Sequence, residues 1–264
     1  MGVPGNANTL LLKSAAAGGG AYQVSRSLRF NSADSAYLNR TPASAGNRKT
    51  WTWAGWVKRS KLTESDYVHL FGHVNSAGSV FTNFIFKTGS DSLQFFGNSS
   101  SVSIETANLL RDVSAWYHLV LAVDTTQATA SGRAKIYING VEAVYATDNR
   151  SSTISQNADL NVNNTVIHEI GGNPNLSATR YFNGYLADIH FLDGIATDPS
   201  SFTTTDLTTG QLIPKAYTGS YGTNGFKLDF SSNATTAALG PMIEMLSAKG
   251  CAPNTKGVPR YCIE

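Results

Sequence analysis

Asp188 and His190 are spaced to share a proton, because residues two apart on a β-strand point to the same face. The pair has no neighbouring nucleophile, so it reads first as structural. Two carboxylates flanking a sugar bond would permit hydrolysis. Glu64, Glu105, Glu142, Glu169, Glu244 and Glu264 are instead scattered, with no Glu-x-Asp-x-Glu cluster. The histidines His69, His73, His118, His168 and His190 have neither paired helical spacing nor cysteines beside them, so no zinc signature exists and no metal site is assigned. His69 and His73 stand four apart in a segment that reads as strand. Trp51, Trp53, Trp56 and Trp116 could stack on sugar rings, but as strand residues they are expected to fill a core, with Trp51 and Trp53 on one face and Trp56 on the other. The glycine-rich run ending at Ala21 follows no apolar strand and lacks the lysine of a phosphate cradle. Cys251 and Cys262 lie close enough to close a small loop, and equally read as two free thiols.

These side chains must be held by strands. From residue 22 the apolar period is two: Leu28 and Phe30, then Tyr117, Leu119, Leu121 and Val123. Further strands are expected at 50–57, 68–72, 81–86, 92–96, 134–138, 141–145, 168–170, 185–191 and 225–230. Asn139-Gly140 between two such runs is a two-residue hairpin signal, since both turn positions need positive φ. Asp193-Gly194 and Asn224-Gly225 mark further reversals. Helix signals are confined to a turn near Pro199 to Asp206 and a short segment from Pro241 to Lys249. Many short strands with turn punctuation predict an all-β antiparallel sandwich.

The chain has 264 residues, enough for a full core without staples. Charged residues are only 14%, and the net charge is +2 with no basic block, which speaks against nucleic acid as a partner. The longest dense apolar run, Trp116 to Val123, is far too short to span a bilayer, and Met1 to Ala21 lacks the positive start of an export signal. No membrane association is expected. Residues 1–21 read as an N-terminal docking arm, in which Val3, Leu10, Leu11 and Leu12 would supply the apolar contacts. Residues 22–232 read as the sandwich and 233–264 as a C-terminal tail.

Ser27-Leu28-Arg29-Phe30, Trp51-Thr52-Trp53-Ala54-Gly55-Trp56-Val57, Trp116-Tyr117-His118, Tyr137-Ile138-Asn139-Gly140 and Phe182-Asn183-Gly184-Tyr185-Leu186-Ala187-Asp188-Ile189 follow one another in an order and spacing that resembles laminin G-like domains of the concanavalin A-like lectin and glucanase superfamily. Arg26 to Trp56, with Pro214-Lys215-Ala216-Tyr217-Thr218-Gly219 and Gly222-Thr223-Asn224-Gly225-Phe226, is similar more narrowly to laminin G-like proteins of tailed-phage virions. The wider resemblance implies a concanavalin A-like jelly roll that binds glycans or proteins through its loops and one concave face. The narrower one implies a non-enzymatic structural protein of the virion, decorating the head or associated with the tail. Its partners would be other virion proteins, joined as a homo-oligomer, for which a trimer is preferred.

A host-glycan adhesin is the alternative function, with Asp66, Asn75, Asn173, Asn175 and Arg180 as the polar loop residues that would touch sugar. A polysaccharide depolymerase is the third. It would resemble laminarinases, whose carboxylates stand at alternate strand positions, and that pattern is missing. No cofactor is expected, except that some family members bind calcium at loop ends, where Asp66, Asp124, Asp148 and Asn173 could supply oxygens.

Overall fold

The computed structural model describes residues 22–62, 66–75, 77, 79–98, 100–174 and 180–230. The readings placed on Val3, Leu10, Leu11, Leu12, Asn175, the segment 241–249, Cys251 and Cys262 lie outside the described residues.

Sixteen strands are described: β1 (Leu28–Phe30), β2 (Leu38–Arg40), β3 (Thr50–Arg59), β4 (Val68–Val74), β5 (Phe81–Phe86), β6 (Leu93–Gly97), β7 (Ile104–Thr106), β8 (Tyr117–Asp124), β9 (Ala134–Ile138), β10 (Val141–Glu142), β11 (Tyr145–Asp148), β12 (His168–Ile170), β13 (Gly184–Asp193), β14 (Thr203–Thr205), β15 (Leu212–Pro214) and β16 (Phe226–Leu228). One helical turn, α1 (Arg150–Thr153), separates β11 from β12. The first sheet runs β1-β13-β3-β8-β9-β10, with β16 also on β13; the second runs β11-β7-β6-β5-β4-β12-β2. All of these pairings are antiparallel, as expected for an all-β sandwich.

Alternation builds the core. Trp51, Trp53 and Val57 of β3 face inward with Leu119, Leu121 and Val123 of β8, and meet Leu70, Phe71, Phe84, Phe86 and Phe95 from the second sheet. The Trp53 ring stacks on Phe71 at 6.1 Å, and Trp51 meets Phe95 edge-on. Trp56 points the other way and joins Val24, Trp116 and Ala187 in a separate cluster. The alternation therefore sorts the tryptophans as the sequence predicts, and all four are buried.

At the hairpin between β9 and β10, Asn139 and Gly140 both have positive φ, 49° and 87°, and Ile138 pairs with Val141. The strand expected at 141–145 is split, because the chain leaves the first sheet after Glu142 and enters the second as β11. The helical turn expected from Pro199 to Asp206 shortens to a 3-10 turn, Pro199–Ser201, followed by β14. Thr203 to Thr205 is β-branched throughout and pairs with β15, which overrides the turn.

β13 joins three neighbours, and its end is clasped by one carboxylate. Asp193 Oδ1 accepts from the Asn47 backbone N–H at 2.7 Å and from Asn163 Nδ2, while Oδ2 accepts from the Asn224 N–H at 3.0 Å. Three chain segments are thus tied to one side chain that is only 7% exposed. Asp193→Ala would orphan these buried donors and is expected to cost about 2–4 kcal/mol. Urea denaturation measures it; a loss below about 1 kcal/mol would show that the clasp is incidental.

Candidate functional site

The outward faces of the two sheets have opposite chemistry. In β13 the register shifts between Ala187, opposite Trp56, and His190, opposite Ala54, leaving Asp188 and Ile189 against Gly55 alone. Asp188 takes φ 48° in this bulge, and Gly55 leaves room for the Ile189 side chain, whose Cδ1 would sit 2.2 Å from a Cβ there. The bulge returns Ile189 to the core and sends Asp188 and His190 outward together, His190 Nε2 lying 3.3 Å from Asp188 Oδ1.

Segment 195–221 then covers this face. Phe202 packs with Ala54, Val120 and Leu192, the Tyr221 ring stacks on His190, and Tyr221 Oη lies 2.8 Å from His190 Nδ1. Tyr22 Oη donates to Asp188 Oδ1, and Lys227 Nζ approaches the same oxygen at 3.6 Å. Burial alone would raise the Asp188 carboxyl, but His190, Tyr22 and Lys227 outweigh it and hold it below the usual range. The dyad seen in the sequence does form, sealed beneath aromatic rings at 1% exposure.

The second sheet turns polar groups outward. Its inward residues are Phe84 and Phe86 of β5, Leu93 and Phe95 of β6 and Ile104 of β7. Alternation therefore places Phe81, Asn83, Ile85, Gln94, Phe96 and Glu105 on the opposite face. His69 pairs with Ile85, Ile85 with Gln94, and Gln94 with Glu105, forming one row across four strands. Glu105 is fully engaged: it accepts from Gln94 Nε2 at 2.8 Å, Lys87 Nζ at 2.9 Å and Ser92 Oγ at 3.0 Å. Burial works to raise its carboxyl, yet these bonds prevail and keep it low. Around Ile85, however, on residues only 1–4% exposed, His69 Nδ1, Asn83 Oδ1 and Gln94 Oε1 have no hydrogen bond of regular geometry among the described residues, although the Asn83 side chain lies beside the His69 ring. Buried polar atoms of this kind call for a complement. Beside them Phe81 and Phe96 pack at 6.0 Å and add an apolar strip.

Loop residues bound this face at the start of β4. Arg180 Nε pairs with Asp66 Oδ2 at 3.1 Å and its guanidinium lies over the Tyr67 ring. Asn173 Nδ2 donates to Glu169 Oε2 at 3.3 Å, and His69 Nε2 lies 3.1 Å from the Glu169 carbonyl. Asp66, Asn173 and Arg180 are therefore brought to one end of the second sheet. Asn75 is not: it stands beyond the other end of β4, where its Oδ1 accepts from the Ser79 and Val80 N–H groups. The strand between spans about 23 Å. Asn75 builds a turn there.

Of the oxygens considered for calcium, Asp124 and Asp148 stand apart from Asp66 and Asn173, Asp124 capping Thr126 and Gln127, and Asp148 holding Arg150. Glu105 and Glu169 share the outward face but stand four strand spacings apart, about 19 Å, against the roughly 5–9.5 Å of glycosidase carboxyl pairs. His69, Asn83, Gln94 and Glu169 were not legible as a group. The one signal was polar residues at outward positions of strands whose alternate residues are aromatic.

Burial pushes the Glu169 carboxyl up to about 8 and the His69 imidazole down to about 4. A carboxyl raised from 4.5 contributes stability that is full below that pH and lost as pH rises through 8. From about pH 5 to 9 the protein is expected to lose on the order of 3 kcal/mol, most of which Glu169→Gln should abolish. Urea denaturation across that range decides it; equal pH slopes in the two proteins would contradict a neutral buried acid.

The family model described as the concanavalin A-like lectin/glucanases superfamily matches residues 30–200. No curated protein sequence matches the chain significantly. A Bacteroides ovatus structure described as a carbohydrate-binding protein aligns with TM-score 0.50 at 15% identity, covering 78% of this chain and 52% of that one. This chain thus spans about half the length of that protein. A SAP-like pentraxin from Limulus polyphemus aligns with TM-score 0.46 at 16% identity, over 67% of this chain and 80% of that one. Domain 4 of an extracellular arabinanase from Geobacillus stearothermophilus, solved with arabinotriose, aligns with TM-score 0.41 at 19% identity, over 58% and 65%.

Proposed function

The chain belongs to the concanavalin A-like lectin/glucanases superfamily, and from that premise we propose that it is a carbohydrate-binding domain whose second sheet receives the sugar on its outward face. One observation carries the reading: among the described residues His69 Nδ1, Asn83 Oδ1 and Gln94 Oε1 have no hydrogen bond of regular geometry around Ile85, next to the Phe81–Phe96 strip. A sugar offers both halves of the match. Its hydroxyls donate to carboxamide oxygens and accept from imidazole N–H, while its C–H face lies on apolar side chains. Arg180 and Asp66 at the margin add a fixed donor and acceptor.

The narrower resemblance to virion proteins supports a setting for this activity. The domain would sit on a phage particle, at head or tail, as a homo-oligomer, preferably a trimer, docked through residues 1–21. Binding of host-surface glycan by such a component fits both resemblances. Neither reading needs bond cleavage.

A glycan array of cell-envelope polysaccharides, probed with the full chain, is expected to give saturable binding that weakens at least about tenfold in Gln94→Ala and Arg180→Ala with the fold retained. A flat response across the array rejects the carbohydrate reading. Deleting residues 2–21 is expected to abolish incorporation into particles without changing sugar binding, and normal incorporation rejects the docking role.

A further inference from the structure

The aromatic cover on the first sheet stops short of its β9 side. Phe202, Tyr217 and Tyr221 shield Ala54, Val120 and Leu192, but not the next outward position of β8, Ala122, nor its β9 partner Lys135. What remains is an open groove of about 420 Å³, within the range of small-ligand sites. Ala122 is its floor. Lys135 and Tyr137, two apart on β9, line one side; Asp124 and Gln127 stand at the β8 end and Asp198 at the start of the cover.

The lining alternates in hydrogen-bonding sense. Gln127, the Tyr137 hydroxyl and Lys135, which also pairs with Glu142 Oε2 at 3.1 Å, donate, and the Asp124 and Asp198 carboxylates accept. Asp124 is held rigid by bonds from Thr126 and Gln127, and Asp198 by bonds from Ser200. The half-buried Tyr137 ring, packed against the cover, supplies an apolar flank above a methyl-sized floor. Both signs of charge are present, which disfavours a phosphate or a polyanion, and no deep apolar slot would take an acyl chain. We propose that this groove is a second saccharide site, on the face opposite the first, which takes one neutral sugar residue with its hydroxyls bridging Lys135 and the two carboxylates and its C–H face on Tyr137.

The ligand class rests on the carbohydrate reading, but the location is independent of it. The full chain, labelled with nitrogen-15, is titrated with glucose, galactose, mannose and arabinose in turn. The expected result is saturable shifts of the Ala122, Tyr137 and Asp198 amides with at least one sugar. These shifts should be absent in Ala122→Trp, which fills the floor, and about tenfold weaker in Lys135→Met, which keeps the aliphatic stem of this half-buried side chain. Shifts confined to the second sheet overturn the groove and uphold the first site. Shifts nowhere overturn both. Unchanged titrations in Lys135→Met and in a folded Ala122→Trp overturn the groove alone.

Discussion

A β-pleat sends alternate side chains to opposite faces, so a two-sheet sandwich that closes its core still has two outer faces to dispose of. This constraint orders the rest of the molecule. The first sheet meets it by adding a third layer. Residues 195–221, with Tyr22 and Val24, cover its outward residues with aromatic rings; of the polar atoms caught beneath, Asp188 Oδ1 and His190 Nδ1 find partners in Tyr22, Tyr221 and Lys227, while Trp56 Nε1, His118 Nδ1 and Asp188 Oδ2 are left unpaired among the described residues. The second sheet meets it with a polar row that is complete at Glu105 and incomplete at His69, Asn83 and Gln94. What distinguishes the two faces is the cover: rings of segment 195–221 lie over the first, and the unpaired carboxamide oxygens of the second are the ground for placing the proposed sugar site there.

Two carboxylates on one strand keep this arrangement in register. The bulge at Asp188 restores Ile189 and Phe191 to the core after turning its own side chain outward. Five residues on, Asp193 ties 47, 163 and 224 to the end of the same strand. In sequence Asp188 reads first as structural, despite its spacing to His190, and Asp193 as part of a turn; in the fold both act as joints. Glu169 differs: burial favours its neutral form, so it can act as donor as well as acceptor beside Asn173.

Strong alternation was legible, as at β5 and β9, whose bounds agree with the sequence reading. Three-residue strands such as β2, β7 and β15 carry too few positions for a period to show, and exist because neighbours pair with them. Of the loop residues assigned to sugar, Asp66, Asn173 and Arg180 converge because Arg180 continues the β4 edge, its carbonyl accepting from the His69 N–H. Asn75, chosen on the same grounds, stands at the opposite end of β4, because loop polarity does not reveal which end of a strand a loop serves. The outward carboxamides were hidden for another reason. A polar residue between aromatics in a strand marks the outside, and only the folded sheet shows that its atoms lack partners.

The most direct test of the binding face is the side-chain carboxamide spectrum of Asn83 and Gln94 with and without a saturating cell-envelope oligosaccharide. The account predicts that both NH₂ signals shift and gain exchange protection, because their oxygens acquire donors. Unchanged carboxamide signals at saturation, with the sugar demonstrably bound elsewhere on the protein, would contradict it.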